Sequence, residues 1–179
     1  MDLTMFRDML YNDNSISDEL SSKKLQKQIA YGIKRRKKNR TFNPWAVCEE
    51  PAELIDLLIQ PEIEKDHLIE ECADVYLSVH YLAVFFNIKP KKTPVIGVDT
   101  PSDKNTLARK FSRQNLRMMK QVRAYIQGRK EKKKRIEATL QNICDILGET
   151  LATFSIPYSL FAKAVNVKMA REIRRVKNP

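Results

Sequence analysis

One stretch, from about residue 62 or 66 to Phe86, is apolar on every side of a helix, and this feature most constrains the fold. A first stripe of apolar side chains recurs every three or four residues, and further apolar residues lie on another side. The stripe consists of Leu68, Cys72, Val75, Val79, Leu82 and Phe86, and the other residues are Leu77, Tyr81 and Val84. A helix that is apolar all round needs other elements around it. The sequence therefore predicts a bundle with this helix at its centre.

The rest of the chain also favours helices over strands. Glycine, which is common in the tight turns between strands, occurs only 4 times in 179 residues, and apolar residues recur at helical spacing. We expect further helices over about residues 22–38, 44–59, 103–127, 136–154 and 157–176. The predicted fold class is all-α, a bundle of five to six helices. The longest apolar run, around Val75–Phe86, is too short to span a bilayer, so we expect no membrane association.

The domain organisation follows from the polar and proline-rich segments. Residues 1–21 are polar and rich in turn formers, so we expect a flexible N-terminal lead. Residues 22–179 suffice for one domain, with a basic insertion at about residues 89–135 that starts as a Pro/Gly-containing linker. Pro51 lies inside the second predicted helix, where proline removes a hydrogen bond and clashes with the preceding turn. We expect either a kink at Pro51 or a later start of that helix.

Charge and cysteine usage both bear on the setting in which the protein works. Residues 41–90 carry a net charge of −8, whereas the whole chain carries +11. A divalent cation in the acidic part, with basic parts that attract a polyphosphate, would explain the contrast. The three cysteines, Cys48, Cys72 and Cys144, match neither a metal-binding spacing nor a disulfide framework. We therefore expect a reducing, cytoplasmic setting.

The acidic segment holds two pairs of carboxylates. Glu50 and Glu53 are three residues apart, as are Glu71 and Asp74, so each pair occupies one face of its predicted helix. Pairs on neighbouring helices can converge, and four carboxylates with open positions suit Mg²⁺. The alternative is a solvated helix face, although Glu71 and Asp74 lie in the most apolar helix, where an unpaired charge is costly. The residues alone leave both interpretations open.

The same segments carry a family resemblance. Residues 48–54 read Cys-Glu-Glu-Pro-Ala-Glu-Leu, and residues 69–75 read Ile-Glu-Glu-Cys-Ala-Asp-Val. This pattern, EExxE followed after a spacer by ExxD, resembles the MazG-like all-α NTP pyrophosphohydrolase superfamily, which includes dimeric dUTPases and dCTP pyrophosphatases. The resemblance covers about residues 45–88, and Pro51 departs from it, because members usually carry a helix-compatible residue there. It implies a MazG-like four-helix core.

The resemblance also implies an activity and a set of site residues. The enzyme would use Mg²⁺, or Mn²⁺ in its place, to hydrolyse an NTP or dNTP to the monophosphate and pyrophosphate. Glu50, Glu53, Glu71 and Asp74 would bind the metal. Glu49, with Glu50, would have a catalytic role, as a further ligand or by orienting the attacking water. A homodimer or homotetramer is implied as well.

Members of this family tend to carry a Lys, an Asn and an Arg near the end of the fold that serve the phosphates. Lys168, Arg171 and Arg175 share one face of the last predicted helix, so the resemblance makes them the candidates for phosphate binding. The alternative is that they complement the helix dipole. Trp45, about one turn before the glutamates, is a candidate for base stacking, and the alternative is a core residue.

A cationic stripe supports a hypothesis of a different class. Arg109, Arg113, Arg117, Lys120 and Arg123 recur every three or four residues, so one face of that predicted helix is positive. Such a face suits contact with a nucleic-acid backbone. The alternatives are a solvated face or salt links between subunits. The second hypothesis is therefore a basic, all-helical nucleic-acid-binding or interaction protein whose acidic motif is not catalytic.

Overall fold

A computed structural model describes residues 2–38, 45, 48–88, 102–129 and 133–177. These residues form seven helices and no strand, so the prediction of an all-α bundle is confirmed. The helices are α1 (Leu3–Tyr11), α2 (Ser22–Lys38), α3 (Glu50–Leu58), α4 (Lys65–Phe85), α5 (Lys104–Ile126), α6 (Lys133–Thr153) and α7 (Tyr158–Lys177).

Four of the helices form a ring in which each packs against two neighbours. Both α3 and α6 pack against α4 and against α5. At one end of the ring, the Tyr125 ring of α5 lies 5.2 Å from that of Phe85 and 4.9 Å from that of Phe86, where α4 ends. At the other end, Lys104 Nζ at the start of α5 donates to the Pro61 carbonyl just after α3, at 3.0 Å. Helices α4 and α5 therefore run in the same direction, with α3 antiparallel to them.

Helix α4 is the centre of the bundle, as its apolar pattern predicts. It packs against α3 and α6 in the ring and against α1, α2 and α7 on its other side. Between Leu68 and Ala83, every residue except Asp74 is buried. The buried His80 bonds through Nδ1 to the Tyr76 carbonyl at 2.9 Å. Among the described helices, none, α4 included, is both long and apolar enough to cross a membrane.

The N-terminal segment differs from the expected flexible lead. Residues 3–11 form α1, and the Asp2 side chain caps it by accepting a hydrogen bond from the Thr4 N–H at 3.0 Å. Phe6 and Leu10 are fully buried. The expectation rested on the polar residues 12–17, which follow the helix. The overlooked signal is the spacing of four between the two buried side chains.

The start of α3 settles the question raised by Pro51. The helix begins at Glu50, so Pro51 lies in its first turn, where a missing N–H removes no helical hydrogen bond. The later start, one of the two expected outcomes, is therefore the correct one. The predicted beginning at residue 44 is wrong, because Cys48 and Glu49 precede the α-helix. Residues 39–44, which include the predicted start of this helix, lie outside the described residues.

The segment expected as a basic insertion contributes a helix to the ring. Helix α5 packs against α3 and α6 because apolar residues recur along the side opposite its arginines. The buried residues include Leu107, Phe111, Met118 and Val122. The expected linker at residues 89–101 lies outside the described residues.

Candidate metal centre

The two acidic motifs meet where the start of α3 packs against α4. Carboxylate oxygens of Glu50 and Glu53 on α3 and of Glu71 on α4 all lie within 4.8 Å of one another. Glu71 is buried, Glu50 is half-buried and Glu53 is exposed, so the cluster runs from the interior to the surface. Carboxylates this close repel one another unless a cation or a proton intervenes. Oxygen ligands of this kind are those that Mg²⁺ prefers.

The first turn of α3 favours acidic side chains. The N–H groups at the start of a helix carry partial positive charge, and both Glu50 and Glu53 lie in this turn. Glu49 precedes the turn as the N-cap residue, but its side chain makes no capping hydrogen bond. Its carboxylate is exposed beside the cluster.

Burial and mutual repulsion perturb the carboxyl groups of Glu50 and Glu71. Burial, reinforced by the charges of Asp74 and Glu53, raises the pKa of Glu50 to about 7. The same causes raise the pKa of Glu71 to about 8. Near neutral pH both groups therefore hold a proton for part of the time, and a cation that binds there must displace these protons.

The two carboxylate oxygens of Glu71 differ in their contacts. Glu71 Oε1 lies 3.3 Å from His67 Nε2, one turn earlier in α4. Glu71 Oε2 is buried and has no hydrogen-bond partner within the described part of the chain. A buried carboxylate oxygen without a partner is costly, and a cation at the cluster would satisfy it. Through its contact with Glu71 Oε1, His67 borders the cluster.

Asp74, the fourth predicted ligand, bonds to a cation of the chain itself. Lys168 Nζ on α7 donates to Asp74 Oδ2 and also, at 2.6 Å, to Glu70 Oε1. Burial alone would lower the pKa of Lys168, but the carboxylates of Asp74 and Glu70 raise it, so the lysine is charged. Glu70 was not among the sequence candidates, although its spacing of four places it on the same face as Asp74.

Helix α1 covers this buried ion pair. The Phe6 ring centroid lies 5.6 Å from Lys168 Nζ, within the range of a cation–π contact. Arg7 Nε and the Tyr11 hydroxyl each donate to the Asp66 carboxylate at 2.6 Å, which ties α1 to the start of α4. The sequence did not predict these contacts, because it did not predict helix α1.

The structure places the other predicted site residues in different settings. Arg171 is half-buried, and Arg175 is exposed, with Nη1 3.5 Å from Glu172 Oε1 of its own helix. Trp45 is half-buried and packs against the hydrophobic core. Phosphate binding by the two arginines and by Lys168, and base stacking by Trp45, stay predictions.

No family model, no curated protein and no solved structure matches this chain. The resemblance to the MazG-like superfamily therefore rests on the motif residues alone. The structure establishes an all-α bundle, and a MazG-like core stays a prediction.

Proposed function

We propose that this protein is a Mg²⁺-dependent nucleoside triphosphate pyrophosphohydrolase, which hydrolyses an NTP or dNTP to the monophosphate and pyrophosphate. The observation that carries the proposal is the convergence of Glu50, Glu53 and Glu71, together with a buried Glu71 oxygen that has no hydrogen-bond partner among the described residues. Three carboxylates provide oxygen ligands for Mg²⁺ and leave positions for water and phosphate oxygens. Assembly as a homodimer or homotetramer, which the family resemblance implies, is part of the same proposal.

Each residue has a defined task in this reaction. Glu50, Glu53 and Glu71 would hold the cation, which when bound neutralises phosphate charge and lowers the pKa of a bound water. Glu49, exposed beside the cluster, would orient the attacking water or accept its proton. Arg171 would meet the phosphate chain through charge-assisted hydrogen bonds.

The test compares two neutral variants on α3. Glu53→Gln removes a carboxylate of the cluster, whereas Asp56→Asn removes an exposed carboxylate three residues later, outside it. With a panel of canonical and modified (d)NTPs, we expect pyrophosphate release that requires Mg²⁺ and stops with EDTA. Glu53→Gln should lower this turnover by about a hundredfold, and Asp56→Asn should leave it unchanged. No turnover with any nucleotide, or equal losses in both variants, would contradict the proposal. Light scattering on the same samples measures the assembly state.

A second candidate function, nucleic-acid binding, is favoured by the outer face of α5. This helix contains no acidic residue, and its other face is buried in the ring. Its exposed cations are Arg109, Arg113, Arg117, Lys120 and Arg123. Guanidinium groups bind phosphates through paired hydrogen bonds, so this stripe suits a nucleic-acid backbone.

Salt dependence tests this second candidate. The double variant Arg113→Gln/Arg117→Gln removes two charges from α5, and Lys23→Gln/Lys27→Gln removes two exposed charges from α2 as a control. The α5 variant should weaken binding to DNA or RNA of any sequence and flatten the salt slope by about one for each phosphate that is no longer neutralised. If both variants weaken nucleic-acid binding equally, the binding depends only on the net charge of the protein, and the outer face of α5 is not a specific binding surface.

A further inference from the structure

The acidic cluster has two halves that are neutralised differently. In one half, Glu50, Glu53 and Glu71 converge, and among the described residues no lysine or arginine forms an ion pair with them. In the other half, Glu70 and Asp74 both bond to Lys168. The two halves adjoin, because Glu71 lies directly after Glu70 and three residues before Asp74. Among the described residues, only the first half therefore lacks an ion pair with a lysine or arginine of the chain.

Lys168 is built into its half of the cluster. Its side chain is only 9% exposed, and it is covered by the Phe6 ring, which is itself fully buried. To reach a substrate phosphate, the ammonium group would have to leave two carboxylates unpaired in a buried setting. Separating a buried ion pair in this way is strongly unfavourable. The contacts therefore favour a fixed ammonium group over a mobile phosphate ligand.

We infer that Lys168 is the permanent cation of the Glu70–Asp74 half, so that the site takes a single divalent cation, on Glu50, Glu53 and Glu71. In sites that hold two metal ions, the ions lie about 3.5–4 Å apart and share neighbouring carboxylates. The ammonium group here bonds to Glu70 and Asp74, the two carboxylates that would otherwise be available to a second ion. Asp74 is then a positioning residue that acts through Lys168. This inference rests on the proposed function, because it concerns the cation of the same site.

Counting bound Mn²⁺ by electron paramagnetic resonance tests the inference on the full chain. We expect the wild-type protein to bind one Mn²⁺ per chain. Glu71→Gln, which removes a ligand, should weaken that binding by more than about a hundredfold, whereas Asp74→Asn, which alters only the surroundings of the ligands, should weaken it by about tenfold. Two ions per wild-type chain, or an equal loss of affinity in Asp74→Asn and Glu71→Gln, would overturn the inference.

Variants of the lysine provide the complementary measurement. Lys168→Met keeps the length of the side chain and removes its charge, so a second Mn²⁺ should bind to the freed carboxylates. Lys168→Arg keeps the charge, and Lys163→Met makes the same substitution elsewhere on α7, so both should stay at one ion. A folded Lys168→Met protein that still binds one ion would overturn the inference, and if this variant does not fold, the Asp74→Asn result decides.

The single-cation inference and the proposed function can be refuted independently, because one is tested by the ion count and the other by nucleotide turnover. One Mn²⁺ per chain with the expected pattern of affinities, but no hydrolysis of any nucleotide, would refute the proposed function and leave the single-cation site standing. Hydrolysis with two ions per chain would refute the single-cation site and leave the function standing. No binding of Mn²⁺ to the wild-type protein would refute both.

Discussion

The free energy of unfolding of the metal-free protein should fall as the pH rises from 6.5 to 8.5. Burial raises the pKa of Glu71 from 4.5 to about 8 in the folded protein, whereas the unfolded chain is already ionised across this range. The folded state therefore binds more protons than the unfolded state, and under this condition stability decreases with rising pH. The loss is complete once the pH exceeds the folded pKa.

The expected size of this loss follows from the titration of Glu71. One proton that is bound only in the folded state corresponds to about 1.4 kcal/mol per pH unit. Between pH 6.5 and 8.5, a folded pKa of about 8 gives about 2 kcal/mol, which screening by water at the cluster reduces to about 1–2 kcal/mol. Glu50, whose pKa burial raises to about 7, adds a smaller loss of the same sign. For a chain of this length, 1 kcal/mol corresponds to about 2–4 °C in Tm.

Burial also raises the pKa of Asp74, so this carboxyl group acts in the same direction as Glu71, while the other perturbed groups act mainly outside this pH range. Burial lowers the pKa of His80, so this residue acts below pH 6.5 and in the opposite direction. Hydrogen bonds lower the pKa values of Asp13 and Asp103, so these carboxyl groups act in acid. Burial raises the pKa of Cys48 to about 11, and the effect of this thiol begins near pH 9. Between these limits the carboxyl groups of Glu50, Glu71 and Asp74 dominate.

Denaturation followed by circular dichroism, in EDTA at several pH values, measures the effect. Glu71→Gln should remove most of the slope, because glutamine does not titrate, while Glu62→Gln, which changes an exposed residue outside the cluster, should keep it. Mg²⁺ added at pH 8.5 should restore the stability, because it binds the folded state. A flat wild-type profile, or a slope that survives Glu71→Gln, would refute the reasoning.

Three further predictions concern single side chains. Phe6→Ala should lower the free energy of unfolding by about 3–5 kcal/mol, because Phe6 is fully buried. The control Met5→Ala changes an exposed residue of the same helix and should alter this free energy by less than about 0.5 kcal/mol. Similar losses in the two variants, measured by denaturation, would show that α1 is not packed as described. Asp103→Ala should lower the free energy of unfolding by about 1 kcal/mol, because the Asp103 side chain caps α5. An unchanged denaturation midpoint would mean that this cap does not contribute to stability. Arg171→Ala should lower nucleotide turnover by about one to two orders of magnitude and leave the Mn²⁺ affinity unchanged. The control Arg174→Ala should not lower turnover, because Arg174 lines a groove that contains no residue of the acidic cluster. Wild-type kinetics in both variants would mean that Arg171 only contributes to packing.

Helix periodicity predicts much of this fold because each apolar stripe is local in the sequence. Helix α2 spans the predicted residues 22–38, since Leu25, Ile29 and Ile33 recur every four residues and are all buried. Helix α1 was missed because the polar residues behind it dominated a short segment. The start of α3 was placed too early because Pro51 is compatible with both a kinked interior and a first turn, and only packing distinguishes these.

The site was predictable to the extent that it depends on spacing within a helix. The spacing of Glu50 and Glu53, and the motif that includes Glu71, placed these three carboxylates together, and the structure brings them within 4.8 Å. The partner of Asp74 was not predictable, because it depends on how α7 packs against α4. Several cations of α7 were equivalent by sequence, and the packing selects Lys168.

The charges of the site themselves argue for a bound cation. One region of the bundle holds five carboxylates and one buried lysine, namely Glu50, Glu53, Glu70, Glu71 and Asp74 with Lys168. Such charge can be offset by protons, by a cation of the chain or by a cation from solution. Protons offset part of it, because the raised pKa values of Glu50 and Glu71 leave these groups partly protonated near neutral pH. Lys168 offsets another part by pairing with Glu70 and Asp74. Apolar residues in place of these carboxylates would avoid the desolvation of charged groups and would often give a more stable core. The rest of α4 is indeed apolar almost throughout. Within the described residues, the remaining negative charge forms no ion pair with a lysine or arginine, and a divalent cation from solution would neutralise it.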